Sequence, residues 1–146
     1  MTDAGPDDSL LRLELELFAM AVHLLRRKGR FWPFGAVVWS DGECQLAAAP
    51  VEAGERFPLA QSLRDRLVEE LRAEAAAGRI QAAGLAADAR DVELEGRGLT
   101  NAVRLDVESA DGRAEVVHLS YERFFPRRYR IDPRPVRGPG RPLVFG

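Results

Sequence analysis

Cysteine is nearly missing from this 146-residue chain, in which Cys44 stands alone. A single thiol closes no disulfide within the chain and builds no multi-cysteine metal site. Lysine is as scarce, with Lys28 set against 20 arginines, and there are only two histidines. No run reaches the ~18 uninterrupted apolar residues of a membrane-spanning helix. The most apolar window, residues 10–25, is broken by Arg12, Glu14, Glu16 and His23. Neither sign of charge dominates: 21 basic against 23 acidic residues leave a net charge of -2. That balance gives no global attraction to nucleic acid. The acidic opening, residues 1–8, lacks the basic start of a signal peptide. With the unpaired cysteine, it predicts a cytoplasmic protein.

What is present fits a globular protein. Hydrophobic residues make up 46% of the chain, charged residues 30%, and the mean hydropathy is -0.22. A chain of this length forms one domain and buries about 68–70% of its unfolded surface. Abundant arginine and alanine read as the codon usage of a GC-rich bacterial genome. The alternative is arginine selected for bidentate contacts with phosphate or carboxylate. Charge is unevenly placed. Residues 123–146 hold seven arginines and one acid, Asp132, for a net +6, which leaves -8 on the rest. An acidic body therefore carries a basic tail.

Residues 1–8 read as a flexible arm, 9–121 as a single α/β domain, and 122–146 as an Arg/Pro-rich tail. A helix is expected over 10–28, capped by Asp8 or Ser9, with Leu11, Leu15, Phe18, Val22 and Leu25 as its apolar face. Gly29 ends it. Two short β-prone runs around Asp41-Gly42 predict a hairpin. A second helix starts near Pro58, carries Leu59, Leu63, Leu67, Leu71 and Ala75, and stops at Gly78. The alanine-rich stretch 80–94 is read as a strand to be packed by larger neighbours. In the second hairpin, a two-residue turn would set Leu105 opposite His118 and pair the wrong faces. A three-residue loop, Ala110-Asp111-Gly112, instead sets Leu105 opposite Val117 and Val103 opposite Leu119. Beyond Tyr121 no period survives, so the tail is either an extended wrap or a flexible arm, and Leu143-Val144-Phe145 could dock on the body.

The fold class expected is α+β: a five-stranded antiparallel sheet with two packed helices in the order α-β-β-α-β-β-β. That order over residues 9–121 resembles roadblock and profilin-like domains. The run Phe31-Trp32-Pro33-Phe34-Gly35-Ala36-Val37-Val38, followed by Asp41-Gly42, Asp88, Val92 and the 109–113 hairpin, is similar to a group of small uncharacterised bacterial proteins. Those have a proline–phenylalanine step into the first strand. The resemblance implies a fold and no activity.

Residues 33–38 also resemble the first core strand of zinc-dependent nucleoside deaminases. That chemistry requires His-x-Glu and Pro-Cys-x-x-Cys. His23 is followed by Leu24-Leu25, His118 by Leu119-Ser120, and Cys44 is single, so a zinc deaminase is rejected. Cys44 reads as a small buried hydrophobe. His23 is expected on the exposed side of its helix and His118 on the second sheet surface. Gly96-Arg97-Gly98 is a turn without the spacing of a phosphate loop. Glu69-Glu70 and Glu93/Glu95 read as solvated charges. No catalytic residue, metal or cofactor is expected.

One constellation remains. Arg123-Phe124-Phe125-Pro126-Arg127-Arg128-Tyr129-Arg130 interleaves cations with aromatics, as groups that grip phosphates and stack on bases do. The plainer reading packs the phenylalanines on the sheet end and pairs the arginines with acids. The candidate partner-binding residues are Trp39, Phe124, Phe125, Arg127, Arg128, Tyr129 and Arg130. Together these observations point to a non-catalytic protein-interaction or regulatory module, working as a homodimer or on an acidic protein partner. The alternatives are a small-ligand binder or enzyme with a pocket near residues 32–39, and nucleic-acid binding through the tail.

Overall fold

The structure, a computed structural model, describes residues 6–49, 59–124 and 128–146. The described elements follow the chain as α1 (Pro6–Lys28), β1 (Phe34–Trp39), β2 (Cys44–Ala48), α2 (Ala60–Ala76), β3 (Ile80–Leu94), β4 (Gly98–Ser109), β5 (Ala114–Phe124), β6 (Arg128–Ile131) and β7 (Val136–Pro139). The sheet is antiparallel in the order β2-β1-β3-β4-β5-β6, with β7 also paired to β5. No helix among the described residues is long and apolar enough to cross a membrane.

The first five strands fall where the sequence places them. The expected five-stranded sheet is corrected to seven strands. The tail supplies β6 and β7, two short runs that bind successive parts of one edge of β5. They were illegible because Asp132-Pro133-Arg134-Pro135 interrupts them, and because proline is tolerated on an edge strand whose N–H faces away from the ladder. The second hairpin has the register that facial arithmetic requires: Leu105 pairs with Val117 and Val103 with Leu119. Ser109 and Arg113 close its loop, and Gly112 takes φ 96.

The two helices lie on opposite faces. On one face, Leu10, Leu13, Leu17, Ala21 and Leu25 of α1 pack on Ala36, Val38, Ala82, Ala86, Val103, Leu105, Val107, Val117 and Tyr121. Small residues on β3 let the leucines sit close. A Cβ at Gly84 would lie 2.7 Å from Leu17 Cδ1 and 3.1 Å from Val107 Cγ1. On the other face, Leu67, Val68 and Leu71 of α2 pack on Val37, Ile80, Ala83 and Leu85.

The apolar face expected for α1 is also corrected. Leu11 and Leu15 are 50% and 62% exposed. The helix carries two leucine stripes about a quarter-turn apart, which share Leu25. The sheet takes the one containing Leu10, Leu13 and Leu17. A one-dimensional period cannot rank two stripes of equal strength; the small-residue floor of Ala82, Gly84 and Ala86 decides it.

The chain's last residues close the second face. Val144 is 5% exposed and packs in the α2 core with Leu143 and Phe145 beside it. Glu108, buried at 3% exposure, accepts hydrogen bonds from the backbone N–H groups of Leu143, Val144 and Phe145, each at 2.7 Å. Arg72 Nε donates to the Leu143 carbonyl at 2.6 Å. A buried carboxylate is thus satisfied by three successive amides. Among the described residues, no buried side-chain polar atom lacks a partner.

Candidate functional site

The sequence-selected residues that the structure describes do not form one surface. Trp39 is half-buried at the end of β1, on the α2 side, with Nε1 donating to Gln45 Oε1 at 2.9 Å. Three strands, β3, β4 and β5, separate β1 from β6. Arg128 and Arg130 are exposed on β6, and Tyr129 is half-buried against Tyr121, ring centroids 5.9 Å apart. Phe124 closes β5 opposite Arg128; Phe125 and Arg127 lie outside the described residues. Two other tail arginines bind acids of the chain. Arg137 forks onto Glu14 of α1 at 2.5 and 3.0 Å. Arg134 joins Arg97 on Asp132, and those guanidiniums hold the Asp132 carboxyl far below its ordinary range.

The residues considered for chemistry are dispersed. His23 is exposed on α1, Cys44 is half-buried on the α1 face of β2, and His118 is half-buried on β5. Burial pushes the Cys44 thiol up, and Glu16 pushes it further, which disfavours the nucleophilic thiolate. Among the described residues, no three His, Cys, Asp or Glu side chains are placed to hold a metal ion.

Two polar clusters were missed by sequence reasoning. In the first, the Tyr121 hydroxyl donates to Asp88 at 2.6 Å, and Arg90 bridges Asp88 at 3.0 Å and the Gly29 carbonyl at 2.8 Å. Burial, then the bond to Asp88, pushes the Tyr121 pKa far above its ordinary 10, so it remains a donor. This group ties the end of α1 to the sheet. In the second, Asp106 accepts both arms of Arg104 at 3.1 Å and Arg64 of α2 at 3.4 Å. Arg104 pairs across the ladder with His118. The only signal for the second cluster was the even-numbered polar face of β4, which reads as solvated until a cover is known.

Burial, then the Arg104 charge, depresses His118 below its ordinary 6.5, and Asp106 opposes them only partly. The unfolded chain then binds a proton more readily than the folded one. Stability is full above the unfolded value and falls as pH drops through it. His118→Gln is expected to flatten the decline in urea midpoint between pH 7 and 5. An unchanged slope would contradict this assignment.

Three features are left uncovered by the described residues. The first is the outer flank of α1, where Leu11 and Leu15 project beside half-buried Phe18 and Val22. The second is the outer edge of β2, which ends the sheet. The third is a cavity of about 530 Å³ between the end of α1, the start of β1 and α2, lined by Leu24, Phe31, Trp32, Phe34 and Leu63, with Lys28 and Arg30 as its charged members. Among the described residues that line it there is no nucleophile or acid–base pair. No family model, curated protein or solved structure matches the chain.

Proposed function

We propose that the chain is a non-catalytic protein-interaction module that works as a homodimer or with a protein partner. We read the α-β-β-α-β-β-β order of residues 9–121 in the sense of a roadblock or profilin-like interaction module. One observation carries the proposal. The α1 helix has two leucine stripes, and the fold uses one. Leu11, Leu15, Phe18 and Val22 recur at steps of four, three and four residues. That spacing forms a seam for a partner helix or apolar surface.

The two leucines contribute little to the fold at their present exposure, so their retention on one flank points to a contact made outside the chain. The arginines of the tail fit the role of an electrostatic clamp less well, because Arg134 and Arg137 are already paired within the chain. The acidic-partner reading therefore rests on the exposed Arg123 and Arg128.

The cavity beside Trp32 favours a second reading, a ligand that is apolar with one anionic end. Its lining supplies aromatic and aliphatic walls and two cations. A photoreactive residue at position 15 tests the first reading. It is expected to give one discrete protein adduct in the cell of origin, abolished by Leu11→Glu, with no such adduct from position 23.

A further inference from the structure

We propose that two copies of this chain pair through the outer edges of β2, antiparallel about a two-fold axis at Leu46, to make one continuous sheet. The inference rests on the reading of the chain as an interaction module and names a partner: itself.

An open strand edge invites pairing, and proteins ordinarily block it with charge, proline, bulges or a cover. The far edge of this sheet is blocked in that way. Pro133, Pro135 and Pro139 interrupt or end β6 and β7, and Asp132 is clamped at the bend by Arg97 and Arg134. The Cys44-Gln45-Leu46-Ala47-Ala48 edge has neither charge nor proline. Among the described residues, nothing pairs with its outer side.

The register fixes which groups are on offer. The Trp39 N–H donates to the Glu43 carbonyl, and Val37 pairs with Gln45 and Gly35 with Ala47. In an antiparallel ladder the inward-bonded positions alternate. Cys44, Leu46 and Ala48 therefore turn their N–H and C=O groups outward. A two-fold pair centred on Leu46 sets Cys44 opposite Ala48 of the partner subunit and closes about six hydrogen bonds.

Two further observations favour a second copy over a foreign strand. Charge runs in opposite senses along the edge. Asp41 and Glu43 are exposed at the hairpin end. Lys28 and Arg30 line the cavity that Ala48 and Ala49 also line at the other end. An antiparallel two-fold brings acids onto cations twice. Two cavities also flank the edge. The one at Trp32 and a second of about 520 Å³, lined by Trp39, Ala47, Leu67 and Leu71 with Glu70 and Glu74 as its charged members, both reach Ala48. A partner hairpin would close both.

The test is the mass in solution by light scattering at about 100 µM. The full chain is expected to give the dimer mass. Leu46→Pro removes only an outward N–H, a place where an edge strand tolerates proline. It is expected to give the monomer with an unchanged circular dichroism spectrum. Ala48→Lys, which puts a cation on the edge without touching the backbone, gives the monomer too and covers the case in which the proline variant fails to fold. A monomeric wild-type chain, or a dimer retained in folded Ala48→Lys, overturns the proposal. Either result leaves the α1 contact standing, because that contact is read by the adduct at position 15.

Discussion

Deleting residues 141–146 is expected to cost about 3–5 kcal/mol of stability, the scale on which a buried charge loses its partners. Glu108 is the reason. Its carboxylate sits under the chain's end, 3% exposed, with three amides at 2.7 Å as its acceptor load. The deletion strips those donors and uncovers the apolar surface that Val144 shields on α2. Water entering the vacated site offsets part of the loss. Glu108→Gln separates the two contributions. It keeps the shape but turns an NH₂ donor toward backbone N–H groups, and is expected to cost about 1–3 kcal/mol. Urea denaturation reads both. A deletion variant with the wild-type midpoint would show that the tail does not dock.

The second large effect is a contrast within one helix. Leu17→Ala is expected to cost about 2–5 kcal/mol, the range for a leucine truncated in a well-packed core. Leu17 is fully buried and touches the space over Gly84. Leu15→Ala, two residues earlier, is expected to change stability by no more than about 0.5 kcal/mol. Denaturation midpoints of the two variants check the assignment of the faces. Equal losses would restore the stripe through Leu11 and Leu15 as the buried one.

These residues also show how far the sequence is legible. Alternation over Val103, Leu105 and Val107, with a loop whose length must keep faces matched, was enough for the register of the second hairpin. The strand at Ile80–Leu94 was legible despite its alanines, because Gly84 weakens a helix and its small side chains need large neighbours, which Leu13 and Leu17 provide. The choice of stripe on α1 was not legible. Both stripes satisfy helical spacing, and the decision belongs to the sheet. The two strands of the tail were hidden by prolines that an edge tolerates.

The candidate site was less legible than the fold. Tyr129 and the arginines around it stand out in sequence, but they lie at the opposite end of the sheet from Trp39, and two further tail arginines are occupied by Glu14 and Asp132. Glu108 gave no signal at all. It reads as one more solvated acid on the polar face of β4 until the chain's end is seen to cover it. Leu11 and Leu15 were noticed, but for the wrong reason: they look like core and are the part of the helix left over from it.

The proposal that the chain works by binding another protein is tested most directly at those leftover leucines. With a photoreactive residue at position 15, and separately at 23 on the same helix, adducts formed in the cell of origin are compared on one gel. A single discrete adduct from 15, lost in Leu11→Glu and missing from 23, is the expected result. Equal labelling from both positions, or none from 15, would contradict a dedicated contact on this flank.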